Sequence, residues 1–344
     1  MKPFIYTLIL LFSLASCKTE QKDSKTPSQQ VNVYTHRHYP PDQELFAQFE
    51  QETGIKVNVV NASADELIQK MELEGPTSPA DVLITVDAGR LVRAKEKGLL
   101  QTVTSTMLDS IVPSHLRDEN NQWFALTKRA RVIAYAKERI TPDQLSTYED
   151  LATSKWKDKL LVRSSSNIYN QSLMASLIAN LGEEKAKAWA SSIVDNMARK
   201  PQGNDRDQVK AAVAGEGDLA IVNTYYIGRL INSDDPVEAN AGKNIGIFFP
   251  NQEDRGTHIN ISGAGVAKYA PNKANAIRFI EYLTSGEAQS VFAKANYEYP
   301  VNSNVEASAL LQSWGTFKED NLSLSKLGTN NKAAVLLFDQ VGWE

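Results

Sequence analysis

The sequence predicts an α/β protein built as two lobes that face each other across a cleft. Three observations carry this expectation. Strand-like and helix-like runs alternate from residue 31 to residue 98, and the alternation starts again after a strand-like run at 131–136. A long apolar run at 259–267, interrupted by Gly263 and Gly265, reads as a return crossing between the lobes. A βαβαβα order argues for a mainly parallel sheet with helices on both faces. Ligands of such sheets bind beyond the carboxyl ends of the strands.

Taken in order, residues 1–17 read as a targeting segment. Lys2 supplies a positive start, and the apolar run 4–14 is short for a membrane span. Leu14-Ala15-Ser16-Cys17 resembles the bacterial lipobox, so cleavage before Cys17 and lipidation of that residue are expected. Cys17 is the sole cysteine, which excludes an intramolecular disulfide, an Fe–S cluster or a thiolate metal site. Residues 18–30 are polar throughout and read as a flexible tether.

The body opens with a strand at 31–34. A helix follows at 42–53, with Leu45, Phe46 and Phe49 on one face and Gly54 placed as its C-terminal cap. A strand at 56–60, a helix at 64–73 carrying Leu67, Ile68 and Met71, an apolar strand at 81–86 and a helix at 91–97 complete the first series. After the strand at 131–136 come a strand at 160–163, helices at 171–181, 183–197 and 208–214, and strands at 219–223 and 245–249. Helices at 273–284, 288–295 and 332–341 finish the chain. The expected lobes are 31–131 with about 256–300, and 132–255 with about 301–344. A net charge of −4 with no basic tract argues against nucleic acid as a partner.

The candidate site lies at strand ends. The run 219–223 stops at a polar turn, and Tyr225-Tyr226 follow where a helix should begin. His38-Tyr39 closes the first strand in the same way, and Tyr169 follows the run 160–163. If the fold brings these ends together, four phenols and an imidazole face one cleft. Phenolate oxygen is a hard anionic ligand, matched by a hard, highly charged cation such as Fe³⁺. The chain holds 12 tyrosines, and most tyrosines pack their rings with the hydroxyl at a polar edge. Tyr135, Tyr148, Tyr269 and Tyr282 are assigned that role, while Tyr297 and Tyr299 stay open. The pattern is also compatible with an aromatic box for an organic cation. His36 competes with His38, and Arg129 and Arg131 are either a solvated charge run or cations beside the cleft. Gly-x-Ser-x-Gly, His-Glu-x-x-His and a cysteine nucleophile in the body are all missing, so enzyme signals are poor.

Over essentially the whole body the chain resembles the ferric-ion-binding proteins of bacterial ABC transporters, in particular the iron-deficiency-induced subgroup. The segments that carry the resemblance are Val33-Tyr34-Thr35-His36-Arg37-His38-Tyr39, Asp81-Val82-Leu83-Ile84-Thr85-Val86-Asp87-Ala88-Gly89-Arg90-Leu91, Lys128-Arg129-Ala130-Arg131, Ile168-Tyr169-Asn170-Gln171-Ser172, Asn223-Thr224-Tyr225-Tyr226 and Asn260-Ile261-Ser262-Gly263-Ala264-Gly265. The resemblance implies a type II periplasmic-binding-protein fold with a hinged cleft. It implies Fe³⁺ as the transported ligand, held by His38, Tyr39, Tyr169, Tyr225 and Tyr226, with Arg37 and Arg129 in support. It also implies an ABC permease as partner and an extracytoplasmic location; a monomer is expected, and the Cys17 lipid in a bacterial membrane, an anchor that not all members carry, is expected from the lipobox. A receptor of the same fold for an organic cation or oxyanion is the alternative, and an extracytoplasmic enzyme is a more distant one.

Overall fold

The computed structural model describes residues 29–37 and 39–344. The expectations for Cys17 and His38 fall outside the described residues. The first series is β1 (Gln30–Thr35), α1 (Pro40–Thr53), β2 (Lys56–Asn61), α2 (Ala64–Glu74), β3 (Val82–Val86), α3 (Ala88–Glu96) and a short α4 (Thr106–Ile111). Leu45, Phe46 and Phe49 of α1 are buried, as the 3.6-residue spacing requires. β1 lies parallel to both β2 and β3, the geometry expected of strands joined through helices.

The next strand, β4 (Phe124–Ala136), is the longest and joins the halves of the molecule. Its first half, from Phe124 to Ala130, runs antiparallel to β8 (residues 259–266, named below). Its second half pairs with the later strands. The sequence showed only the second half, because Lys128 and Arg129 interrupt the apolar pattern; Arg129 is nevertheless buried. Beyond β4 come β5 (Leu160–Leu161), α5 (Ile168–Leu181), α6 (Glu183–Asn196), α7 (Asp205–Ala214), β6 (Leu219–Asn223), α8 (Thr224–Ile231), α9 (Pro236–Asn244) and β7 (Ile245–Phe248). The chain ends with β8 (Ile259–Val266), α10 (Lys273–Leu283), α11 (Gly286–Ala295), β9 (Tyr299–Pro300), α12 (Ala309–Ser313), α13 (Ser325–Thr329) and α14 (Asn331–Val341).

The sheet order is β2-β1-β3-β8-β4-β6-β5, with β7 and β9 also pairing β4. The expectation that the run at 259–267 crosses between lobes is corrected here. β8 pairs only with β3 and the first half of β4, so the crossing strand is β4. Gly263 answers a close approach and not a bend. A Cβ there would lie 2.6 Å from Leu91 Cδ1 and 2.8 Å from the Phe124 carbonyl oxygen.

Three apolar clusters fill the structure. One packs around β1, β3 and β8 and includes Trp123, Phe279 and Phe292. Two lie on opposite faces of the β4–β6 region. One of these holds Trp156, Trp189, Phe338 and Trp343, and the other Val209, Val222, Ile227, Leu230 and Phe249. Val301, Leu324 and Leu327 pack in the first cluster, whereas Ala334 and Leu337 pack in the second.

Candidate metal centre

Each of the four described candidate tyrosines sits at the start of a helix. Tyr39 is the N-cap of α1, ahead of Pro40, and its backbone N–H donates to the Asp42 carboxylate at 3.3 Å. Tyr169 is the second residue of α5, and its N–H donates to the Asn167 side chain that caps the helix. Tyr225 and Tyr226 are the second and third residues of α8, which begins directly where β6 stops. Side chains in a first turn lean back toward the helix N-terminus. All four tyrosines therefore stand at helix starts, where uncommitted N–H groups carry partial positive charge.

The rings converge. Tyr225 Oη donates to Tyr169 Oη at 3.2 Å, and the rings of Tyr225 and Tyr226 are 4.2 Å apart. Tyr39 arrives from the β1 side. The Arg229 guanidinium bridges the groups, 4.4 Å from the Tyr39 ring centre and 5.4 Å from that of Tyr225. Arg37 lies 5.1 Å from the Tyr39 ring, and Arg129 and Arg131 lie 5.5 and 5.9 Å from the Tyr169 ring.

This setting keeps Tyr39, Tyr225 and Tyr226 protonated until something displaces the proton. Burial pushes Tyr225 well above the ordinary phenol value; repulsion from Tyr169, Tyr226 and Tyr39 adds to the rise, and Arg129 opposes it. Tyr226 is raised by burial and then by Tyr169 and Asp205, against the pull of its hydrogen bond with Tyr225 and of Arg163. Tyr39 is raised by burial, Glu298 and Tyr169, and lowered by Arg229 and Arg37.

Beneath Tyr39 lies a buried ionic cluster. Arg37 Nη2 meets Asp42 at 2.9 Å, while its Nη1 donates to Ser262 Oγ at 2.7 Å and pairs with Glu298 at 3.1 Å. Burial works to raise the Glu298 carboxyl, but Arg37 and Arg129 hold it below the usual carboxylate range. Arg129 donates to Ser262 Oγ at 3.1 Å, and its Nε and Nη2 find no hydrogen-bond partner among the described residues. On the other side Asp205 takes Arg131 and Arg163, each at 2.6 Å, and Arg131 also donates to Asn170, the neighbour of Tyr169. These networks fix the helix starts that carry the phenols.

The structure brings together Tyr39, Tyr169, Tyr225 and Tyr226, with Arg37 and Arg129 beside them. His36 accepts the Val86 N–H through Nδ1 at 3.5 Å. His115 faces Glu319, and His258 is buried and pushed down to about 3 by burial and three arginines. Arg229 and Glu298 escaped the sequence reading. Arg229 was discoverable: it lies three and four residues after the doublet, on the same face of α8. Glu298 carries no local signal. Among the described residues no group of three or more His, Cys, Asp or Glu is placed to hold a metal ion.

Residues 34–290 match the family of bacterial extracellular solute-binding proteins. The chain belongs to that family. Iron uptake protein A1 of Synechocystis is 51% identical over 322 residues, covering 94% of this chain and 89% of that one. The solved structure of the Trichodesmium protein IdiA (FutA) in complex with iron and citrate superposes with a TM-score of 0.89 at 50% identity, over 92% of this chain and all of that one. The ferric binding protein of Campylobacter jejuni gives 0.86 at 46% identity, over 91% and 100%. These neighbours place the chain among the iron-binding members of the solute-binding family, with the type II periplasmic-binding-protein fold. The relatives are binding proteins and not enzymes, in line with the poor enzyme signals of the sequence.

Proposed function

We propose that this solute-binding protein captures Fe³⁺ between its lobes as a transported ligand and delivers it to an ABC permease. The ligands in this reading are Tyr39, Tyr169, Tyr225 and Tyr226, with His38 as the nitrogen donor; Arg37 and Arg129 balance the charge. Residues 31–131 with about 256–300 form one lobe and 132–255 the other; the expected assignment of 301–344 to the second lobe is divided, because Val301, Leu324 and Leu327 pack with the first and Ala334 and Leu337 with the second. A lipid on Cys17 holds the protein at a membrane on the extracytoplasmic side.

The observation that carries the reading is the convergence of four phenols from three helix starts, in a chain whose relatives are named for iron. Phenolate is a hard donor, and a trivalent cation displaces phenol protons that neutral pH does not. The arginines count against the organic-cation alternative. Guanidinium groups already lie over the faces of Tyr39, Tyr169 and Tyr225, where an aromatic box would seat its guest.

The test is spectroscopic. Adding Fe³⁺ as its citrate complex to the metal-free protein should produce a visible phenolate-to-iron charge-transfer band, saturating at one iron per chain by metal analysis. Iron bound without such a band, or no iron bound, overturns the ligand assignment.

A further inference from the structure

Helix α8 brings more than its two tyrosines to the opposite side of the cleft. Gly228, in the middle of α8, packs against Tyr297, which follows α11 and precedes β9. α8 buries Ile227 and Leu230 in the cluster beside β6, whereas α11 buries Phe292 in the cluster around β1, β3 and β8. The contact therefore joins the two lobes.

It is close. A Cβ on residue 228 would lie 2.7 Å from both Cβ and Cγ of Tyr297 and 3.0 Å from its Cδ2. The clash is with the base of the side chain, which cannot swing aside. Tyr297 is itself held at a φ of +55°, a left-handed conformation rare for a bulky residue. Such conformations persist where the surroundings enforce them, often at functional sites. Beside this pair, Arg229 Nη2 donates to Asn296 Oδ1 at 2.5 Å, and Asn296 Nδ2 donates to Glu298 at 2.5 Å. Residues 296–298 thus receive one turn of α8, and the last of them reaches the ionic cluster under Tyr39.

We infer that Gly228 and Tyr297 form the seat on which α8 docks when the lobes close, which makes them positioning residues for the metal site. The seat sets how far Tyr225 and Tyr226 advance toward Tyr39, and neither seat residue is an iron ligand. The inference rests on the ferric reading above. Glycine is a poor helix former, so alanine at 228 should favour α8 taken alone. Any loss on adding that methyl group then arises at the seam between lobes.

The experiment uses the mature chain and follows the radius of gyration by small-angle scattering with and without Fe³⁺, the visible band, and the rate of iron loss to excess citrate. Wild type should take up iron and compact. Gly228→Ala should take up iron, fail to compact to the wild-type radius, and lose iron at least tenfold faster. Adding Tyr297→Gly removes the obstructing ring and suits the positive φ, so the double variant should regain compaction and slow release. If Gly228→Ala compacts and releases iron as wild type does, or if Tyr297→Gly fails to restore it, the seat is overturned. If the wild type binds no Fe³⁺, the ferric reading itself falls and takes the seat with it.

Discussion

Replacing both Tyr225 and Tyr226 by Phe separates the chemistry of the site from its packing. The rings stay, so the 4.2 Å ring pair and the burial of Tyr225 are kept. What the fold loses is the 3.2 Å hydrogen bond from Tyr225 to Tyr169 and the hydrogen bond between Tyr225 and Tyr226, a net contribution of about 1 kcal/mol each. The metal-free variant should therefore melt close to wild type. Iron binding should change far more. At pH 7 an ordinary phenol with a pKa of about 10 costs about 4 kcal/mol to ionise. Burial raises the cost for Tyr225, Tyr226 and Tyr39. If all four phenols coordinate, each Fe³⁺ displaces about four protons. Affinity then falls by about four decades, roughly 5.5 kcal/mol, for each unit the pH drops. The double variant retains two phenols, so its dependence should fall to about two decades per unit, with a much weaker affinity at every pH.

The assay is competition with a chelator of known protonation, read by the visible band at pH 6, 7 and 8, with the chelator's own proton uptake subtracted. Wild type and variant sharing one pH slope would refute the assignment of the doublet. A wild-type slope below two would refute the four-phenol site altogether.

Three further outcomes follow. Phenols raised by folding favour the folded state below the unfolded value of about 10, and that contribution is lost as pH rises past it. The metal-free wild type should hold its melting temperature to about pH 9 and drop above pH 10, and Tyr225→Phe/Tyr226→Phe should drop less; equal alkaline profiles would count against buried phenols in the doublet. Arg37→Leu leaves Asp42 buried without its cation and Glu298 with Arg129 alone, and should destabilise the metal-free chain by about 3–5 kcal/mol in a urea melt; a loss under 1 kcal/mol would show that the cluster does not hold the start of α1. Cys17→Ser should move the protein from the membrane fraction to the soluble fraction while Fe³⁺ binding is kept; retention in membranes after a high-salt wash would end the lipid-anchor proposal.

Much of this site was readable because its elements obey local rules. The apolar run 219–223 ends at a doublet that opens a helix, and β6 and α8 fall there. The faces of α1 and α2 follow from Leu45, Phe46 and Phe49 and from Leu67, Ile68 and Met71. What stayed hidden depends on partners distant in sequence. The first half of β4 carries charges at Lys128 and Arg129, and only Ser262 and Glu298, more than 100 residues away, make a buried arginine acceptable there. β8 read as a crossing strand because strand pairing is a tertiary property, and nothing local distinguishes a glycine that bends a strand from one that lets a neighbour approach. The five-residue α13 is too short for a periodic signal, yet Leu327 within it is fully buried.

Opposing forces act on two of the phenols: burial raises Tyr39 and Tyr225, while the surrounding guanidinium groups lower them. Arginine suits this role better than lysine, because a guanidinium keeps its charge when buried and lies flat over a ring. The contributions come from different lobes. Arg229 on α8 eases ionisation of Tyr39, which belongs to the β1 side, and it is held across the seam by Asn296. Under the ferric reading, opening the cleft does more than withdraw ligands from the metal. It also carries Arg229 away from Tyr39, a loss that opposes the relief of burial as water reaches that ring, so the two effects on its ionisation pull in opposite directions. In the reading proposed above, capture and release differ first in the separation of Tyr39 from Tyr169, Tyr225 and Tyr226, and a partner that parts the lobes weakens the hold on iron by distance alone.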